Sequence, residues 1–275
     1  MPYPISKQLV LHRAFAVALL ALCPVAESHA DALTVRGELR PAIAAVTSRT
    51  RKIQHHGREG KNLAVHTRAI LPIDQTFFGT APRGSLFLSL SNGIGLGLGE
   101  STRIWIQNYL QSTINPLHEG LNYEGSVSNL RIQLESGELA VAFNHLTPLS
   151  TARIDLPLGH VVVHSGKVVF AAGPGPACSI TVFQGTATYY HPETNEREFI
   201  TDGSSISISS ASARRSQIQS GTPPHWQKLA DAAEHARLRV LYRHNPEGGM
   251  PLLEWILPEE NFGNPSARPY QFDLK

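Results

Sequence analysis

The chain has 275 residues, 41% of them hydrophobic, with 24 Lys and Arg against 22 Asp and Glu. That apolar share suffices for one large core, or for one core with a small appendage. The balanced charge, without a dense Lys/Arg block, argues against a nucleic-acid partner. With 22 glycines, 19 prolines and only 7% aromatic residues, the composition suits many short strands and turns rather than long helices.

At the amino terminus, Lys7 and Arg13 precede an apolar run from Ala14 to Cys23, followed by Pro24 and then Ser28-His29-Ala30. This order of charge, apolar core and small residues predicts a secretory signal peptide cut after Ala30, or two residues later after Ala32. The run falls short of the roughly 20 apolar residues that span a bilayer. Leu22 before Cys23 does not fit a lipid-attachment site, and after cleavage Cys178 is the sole cysteine. The mature fold is then expected to stand on core packing without a disulfide. Cleavage removes two basic residues and one acidic residue, leaving a net charge of +1. No second long apolar segment follows, so the mature chain is not expected to span a membrane.

From Leu33 to Ser210 short β-patterned runs alternate with turn residues. Leu33–Arg36 and Asn62–Thr67 are early strand candidates, with a polar loop through His55, His56, Gly57 and Gly60 between them. The basic stretch Arg49–Lys52 reads as a solvated loop. Ser85–Leu90, a Ser91-Asn92-Gly93 turn and Ile94–Gly99 form a hairpin signal, because Asn and Gly both tolerate positive φ. Arg103–Gln107 alternates in the same way. Leu130–Leu134 and Leu139–Phe143 are expected to be joined by a turn at Ser136-Gly137, and Val161–His164 and Lys167–Phe170 by one at Ser165-Gly166. Ala152–Leu156, Ile180–Phe183, Thr186–Tyr190 and Ser205–Ile208 complete the series. The fold class is therefore all-β, a sandwich or β-roll of many short strands with a short C-terminal helix.

Ser209–Gly221 has the composition of a linker. Thr222-Pro223-Pro224 then caps and starts a helix whose apolar face carries Trp226, Leu229, Ala230, Ala233 and either Ala236 or Arg237, continuing to Val240. Arg239, Arg243 and His244 are placed in its last turn. The expected organisation is a signal peptide over 1–30, N-terminal strands and a polar loop over 31–67, a β-domain over 68–210, a linker over 211–221, and a helix with a tail over 222–275.

No catalytic constellation emerges. There is no Gly-x-Ser-x-Gly elbow, and Ser165-Gly166-Lys167 lacks a positioned base. His160 and His164 would lie about 13 Å apart on a strand, too far to share one ion. His225, His235 and His244 also lack zinc-ligand spacing. Glu135 and Glu138 sit in one hairpin rather than across a cleft. The alternating glycines at 93, 95, 97 and 99 do not match a phosphate loop. They put a side-chain-free face on one strand, against which another backbone, a bulky side chain such as Trp105, or a ligand packs closely.

The order of Ala69–Thr76, Gly84–Gly93, Leu98–Ile106, Leu130–Leu139, Ser150–Gly159, Phe183–Ala187 and Asp202–Ile208 resembles the FecR-type domain family of the bacterial periplasm. The resemblance covers about Arg68 to Ser209. It implies a non-enzymatic β-domain without cofactor, periplasmic or secreted, that binds or senses through an envelope protein or a glycan. Tyr189, Tyr190, His164 and Lys167 are the candidate binding-surface residues. Where the family has an Arg-Gly-Thr-x-Phe strand, this chain has His164-Ser165-Gly166-Lys167-Val168-Val169-Phe170, keeping Gly and Phe but not Thr. The family's founding sensors carry a cytoplasmic anti-sigma segment and a transmembrane helix before this domain. Here a cleavable signal is expected instead, so no signal would cross the inner membrane through this polypeptide. A structural role in envelope or surface assembly, with the C-terminal helix as docking element, is the alternative; an enzyme acting on carbohydrate ranks third.

Overall fold

The structure is a computed structural model that describes residues 38–57, 64–115, 125–173, 175, 177–193, 196–209, 212–217 (backbone only) and 223–256. The expected signal peptide and the Leu33–Arg36 strand lie outside these residues. The strands are β1 (Arg40–Pro41), β2 (Ile43–Thr50), β3 (Ile53–His56), β4 (Ile70–Pro72), β5 (Thr76–Thr80), β6 (Ser85–Leu90), β7 (Gly95–Leu98) and β8 (Arg103–Gln111). Next come β9 (Ser128–Phe143), β10 (Thr151–Asp155), β11 (His160–Ala172), β12 (Cys178–Tyr190), β13 (Arg197–Thr201), β14 (Ser204–Ser209) and β15 (Ser212–Gln217). Helix α1 (Pro224–Leu238) and a hairpin of β16 (Val240–Arg243) and β17 (Leu252–Trp255) follow. The described residues are all-β with one short C-terminal helix.

The pairings resolve into two layers. In the first, β3 pairs with β5, β5 with β8, β8 with the first half of β9, and that half runs parallel to β10. The layer continues through the first half of β11 and the last residues of β12 to β13. In the second layer β4, β2, β6 and β7 lead to the second half of β9. From there it runs through the second half of β11 and the first half of β12 to β14 and β15. The inner faces supply a continuous core that includes Phe78, Ile104, Ile132, Ile154, Val161 and Ile200 from the first layer and Leu88, Leu96, Val141, Phe170, Ile180 and Ile206 from the second.

Strands β9, β11 and β12 belong to both layers. The turns expected at Ser136-Gly137 and Ser165-Gly166 are not chain reversals: each strand runs on through a bend, and Ile180–Phe183 and Thr186–Tyr190 likewise form one strand. The bends fall at Gly137, Gly166 and Gly185, with φ of 89°, 98° and 89°. Gly166 pairs directly with Gly185, and a Cβ on either would lie within 2.1 Å of a carbonyl oxygen on the other strand. Only glycine accepts both that φ and that approach.

Other expectations are corrected at the two ends. Ile43–Thr50 is a strand with residues 43–47 buried, and Ile53–His56 is a strand within the first layer rather than part of a loop. Residues 64–66, the described part of the Asn62–Thr67 candidate that precedes a turn at 67–68, are not a strand. Residues 212–217, inside the expected linker, add a strand to β14. The helix stops at Leu238, and Val240, Arg243 and their neighbours form β16 instead of a last turn. Pro223 is its N-cap residue, with Pro at the first helical positions. Among the described residues, no helix is long and apolar enough to cross a membrane.

Candidate binding face

The two outer faces of the sandwich differ. On the second layer, Gly95, Gly97, Ala140 and Ala142 leave a shallow strip into which α1 settles with Leu229, Ala230, Ala233 and Ala236. A Cβ at Gly95 would lie 1.9 Å from the carbonyl oxygen of Ala233, and one at Gly97 would lie 3.3 Å from that of Leu229. The alternating glycines thus admit a helix backbone; Trp105 belongs to the opposite layer. Lys167 Nζ donates to Asp231 at 2.8 Å, and Glu138 accepts from Trp226 Nε1 at 2.7 Å and lies 2.8 Å from His225 Nε2. The hairpin β16–β17 covers β2, with Tyr242, Val240, Ile43 and Ala45 packed together. The Tyr242 hydroxyl donates to the Ser89 carbonyl at 2.6 Å and accepts from the Ala45 N–H at 3.1 Å, and burial pushes its pKa up. The apolar face of the helix, the docking element of the assembly reading, is therefore used within the chain itself.

On the first layer, no described element lies over the outer face. Residues paired directly across strands share a face, and one row runs through all eight strands. His56 lies opposite Phe77, Phe77 opposite Trp105, and Trp105 opposite Gln133. Gln133 is opposite Asp155, Asp155 opposite His160, His160 opposite Tyr190, and Tyr190 opposite Arg197. At one end the rings of His56, Phe77 and Trp105 follow each other at 5.7 and 6.4 Å, with the Arg103 guanidinium 5.2 Å from the Phe77 centroid. At the other, His160 and Tyr190 stack at 4.8 Å with 6° between their planes, and Arg197 lies 5.7 Å from the Tyr190 centroid.

The middle of the row is polar. Gln107 Nε2 donates to Gln133 Oε1 at 2.7 Å. Asp155 holds Arg131 at 2.5 Å and Arg153 at 2.7 Å, one guanidinium on each carboxylate oxygen. Partial burial, with Arg153 as the next cause, lowers the pKa of His160 and favours the neutral ring that stacks on Tyr190. Trp105 is 37% exposed, and Phe199, beside the row on β13, is 52% exposed with its ring 6.3 Å from that of His164.

The four residues expected to form a binding surface separate. Tyr189 and Tyr190 are neighbours on a strand and so point to opposite faces. Tyr190 joins the outer row. Tyr189 is 1% exposed in the core, its hydroxyl donates to the Leu158 carbonyl at 3.1 Å, and burial pushes its pKa up to about 12. It is a core residue, not a surface one. His164 is exposed, with Nε2 at 2.8 Å from the Thr188 hydroxyl. Lys167 serves the helix contact on the other layer. The sequence does not place Trp105, Phe77, His160 and Arg197 on one binding face, because their alignment depends on a register that spans residues 56 to 197.

A separate cavity of about 170 Å³ lies between Arg40–Ala42, Gln111–Ile114 and Arg243–Pro251. It falls below the roughly 300 Å³ of an ordinary small-molecule site. Among the described residues no group of three or more His, Cys, Asp or Glu is placed to hold a metal ion.

No protein-family model and no curated protein matches the chain. Two crystal structures of a "putative anti-sigma factor" from Parabacteroides distasonis ATCC 8503 are similar to it, at 11% and 10% identity with TM-scores of 0.39 and 0.38. Each alignment covers 51% of this chain and 59% of the other, so this chain spans less than two thirds of their length.

Proposed function

We propose that this protein is an exported, non-enzymatic, FecR-like β-domain that binds a partner at the bacterial cell envelope through the open face of its first layer. The observation that carries the reading is the asymmetry of the sandwich. Helix and hairpin cover the outer face of the second layer, whereas on the first no described element lies over the row of rings, amides and guanidinium groups. Solvent-exposed aromatic and Arg side chains are the residue types that dominate binding energy at recognition surfaces. The apolar run from Ala14 to Cys23 with its flanking charges supports export.

The test is crosslinking in intact envelopes, comparing the unaltered protein with a Trp105→Ala/Tyr190→Ala double variant. A specific envelope component captured by the first and lost from the second is the expected result. Equal capture by both refutes the assignment of this face. Loss of export after deletion of the apolar run tests the envelope location independently.

A further inference from the structure

We propose that the partner is a linear acidic polysaccharide, its anionic groups spaced apart rather than on every unit, lying across the strands along the ladder. This rests on the reading that the open face is the binding surface, and it names the class of ligand.

Three features point the same way. The first is the order of groups along the row. A protein interface is apolar at its centre and polar at its rim. Here the order is reversed, with rings at Trp105 and Tyr190, four strands or about 19 Å apart, and Gln133 and Asp155 between them. Sugar rings offer C–H faces that stack on aromatic rings and hydroxyls that bond to amides and carboxylates, so a glycan can use both parts of the row.

The second is shape. The row crosses eight strands, about 34 Å, and is one residue wide, so an extended chain can follow it from end to end.

The third is charge. Four arginines face outward, Arg103, Arg131, Arg153 and Arg197, against Asp155 and Glu135. Both carboxylates are already engaged, Asp155 by two of the arginines and Glu135 by Arg103 at 3.1 Å. The residual field is positive and favours an anionic ligand. Arg103, level with Ser136 of β9, and Arg153, level with Arg131, lie on opposite sides of the row, so the cations are offset along the strands as well as across them. The cations are therefore scattered over the face, and Asp155 within the row opposes a polymer charged at every unit.

The experiment measures binding of the full chain to immobilised hyaluronan, which has one carboxylate per disaccharide, with dextran and an oligo-dT strand as comparisons. The expected result is binding to hyaluronan, none to dextran, and weaker binding to oligo-dT. Trp105→Ala and Arg197→Ala should each weaken hyaluronan binding at least tenfold. Lys228→Ala, which removes the same charge from the exposed side of α1, should change it less than twofold. Equal loss in Lys228→Ala, or tighter binding to oligo-dT, overturns the proposal. Absence of hyaluronan binding also overturns it; envelope capture that still depends on Trp105 and Tyr190 then leaves the binding face standing with a protein partner, and its loss removes both.

Discussion

Replacing Gly95 with Ala tests whether α1 rests on the sheet through its backbone. The new Cβ would stand 1.9 Å from the Ala233 carbonyl oxygen, whereas ordinary contact begins at 3.4 Å. The obstructing atom is main chain, so no rotamer change relieves it and the helix must retreat by about 1.5 Å, the difference between those distances. A gap of even about 1 Å forfeits up to half of the dispersion attraction across a contact, here that of Leu229, Ala230, Ala233 and Ala236. Overpacking costs about 1–3 kcal/mol, and this case belongs at the top of that range. At roughly 2–4 °C per kcal/mol for a domain of this size, Gly95→Ala should lower Tm by about 6–12 °C. Gly97→Ala is the internal comparison: its Cβ would meet the Phe87 ring at 3.0 Å and the Leu229 carbonyl oxygen at 3.3 Å, which small movements relieve. It should cost about 1 kcal/mol. Calorimetry gives the Tm values, and hydrogen exchange should show α1 amides losing protection in Gly95→Ala while β9 amides keep theirs. Equal effects of the two substitutions, or undisturbed helix protection, would refute the close approach.

Tyr242→Phe should cost about 2 kcal/mol in chemical denaturation, because it strips partners from two backbone groups beneath the hairpin. Lys167→Ala breaks a partly exposed ion pair with Asp231 and should cost less than about 1 kcal/mol, leaving ligand binding unchanged. In a titration followed by NMR, Arg153→Gln should raise the pKa of His160 towards 6.5, since the guanidinium opposes ring protonation. The lowered pKa also has a sign for stability. The unfolded chain takes up this proton more readily than the folded one, so the contribution of His160 is present above pH 6.5 and lost as pH falls through its folded value. Denaturation midpoints measured on either side of that window check it, with Arg153→Gln narrowing the difference.

The period-two signal made most strands legible, and the Asn92-Gly93 turn fixed the β6–β7 hairpin, where Gly93 has φ 83°. The same signal could not separate a reversal from a bend. A glycine with positive φ serves either, and the register that decides, such as Gly166 against Gly185, is set by a distant strand. Ile43–Thr50 was missed because Ala44 and Ala45 carry little strand preference of their own; burial between neighbours compensates. The Ser- and Arg-rich stretch over 212–217 pairs with β14 in the ladder, which composition does not report. The glycine strip was foreseen as a site of close approach, but the atoms that fill it come from a helix about 130 residues later. The candidate face was the least legible feature. Its residues align only after eight strands are in register, although the opposite orientation of Tyr189 and Tyr190 follows from strand geometry alone.

Because β9, β11 and β12 each pass from one layer into the other, the layers are spliced by main chain as well as by side-chain packing. A tether pulling on the ladder loads covalent backbone that continues under α1, so traction applied at the open face reaches the helix side without shearing the sandwich. The two sheets cannot part company while those three strands remain continuous and paired on both sides.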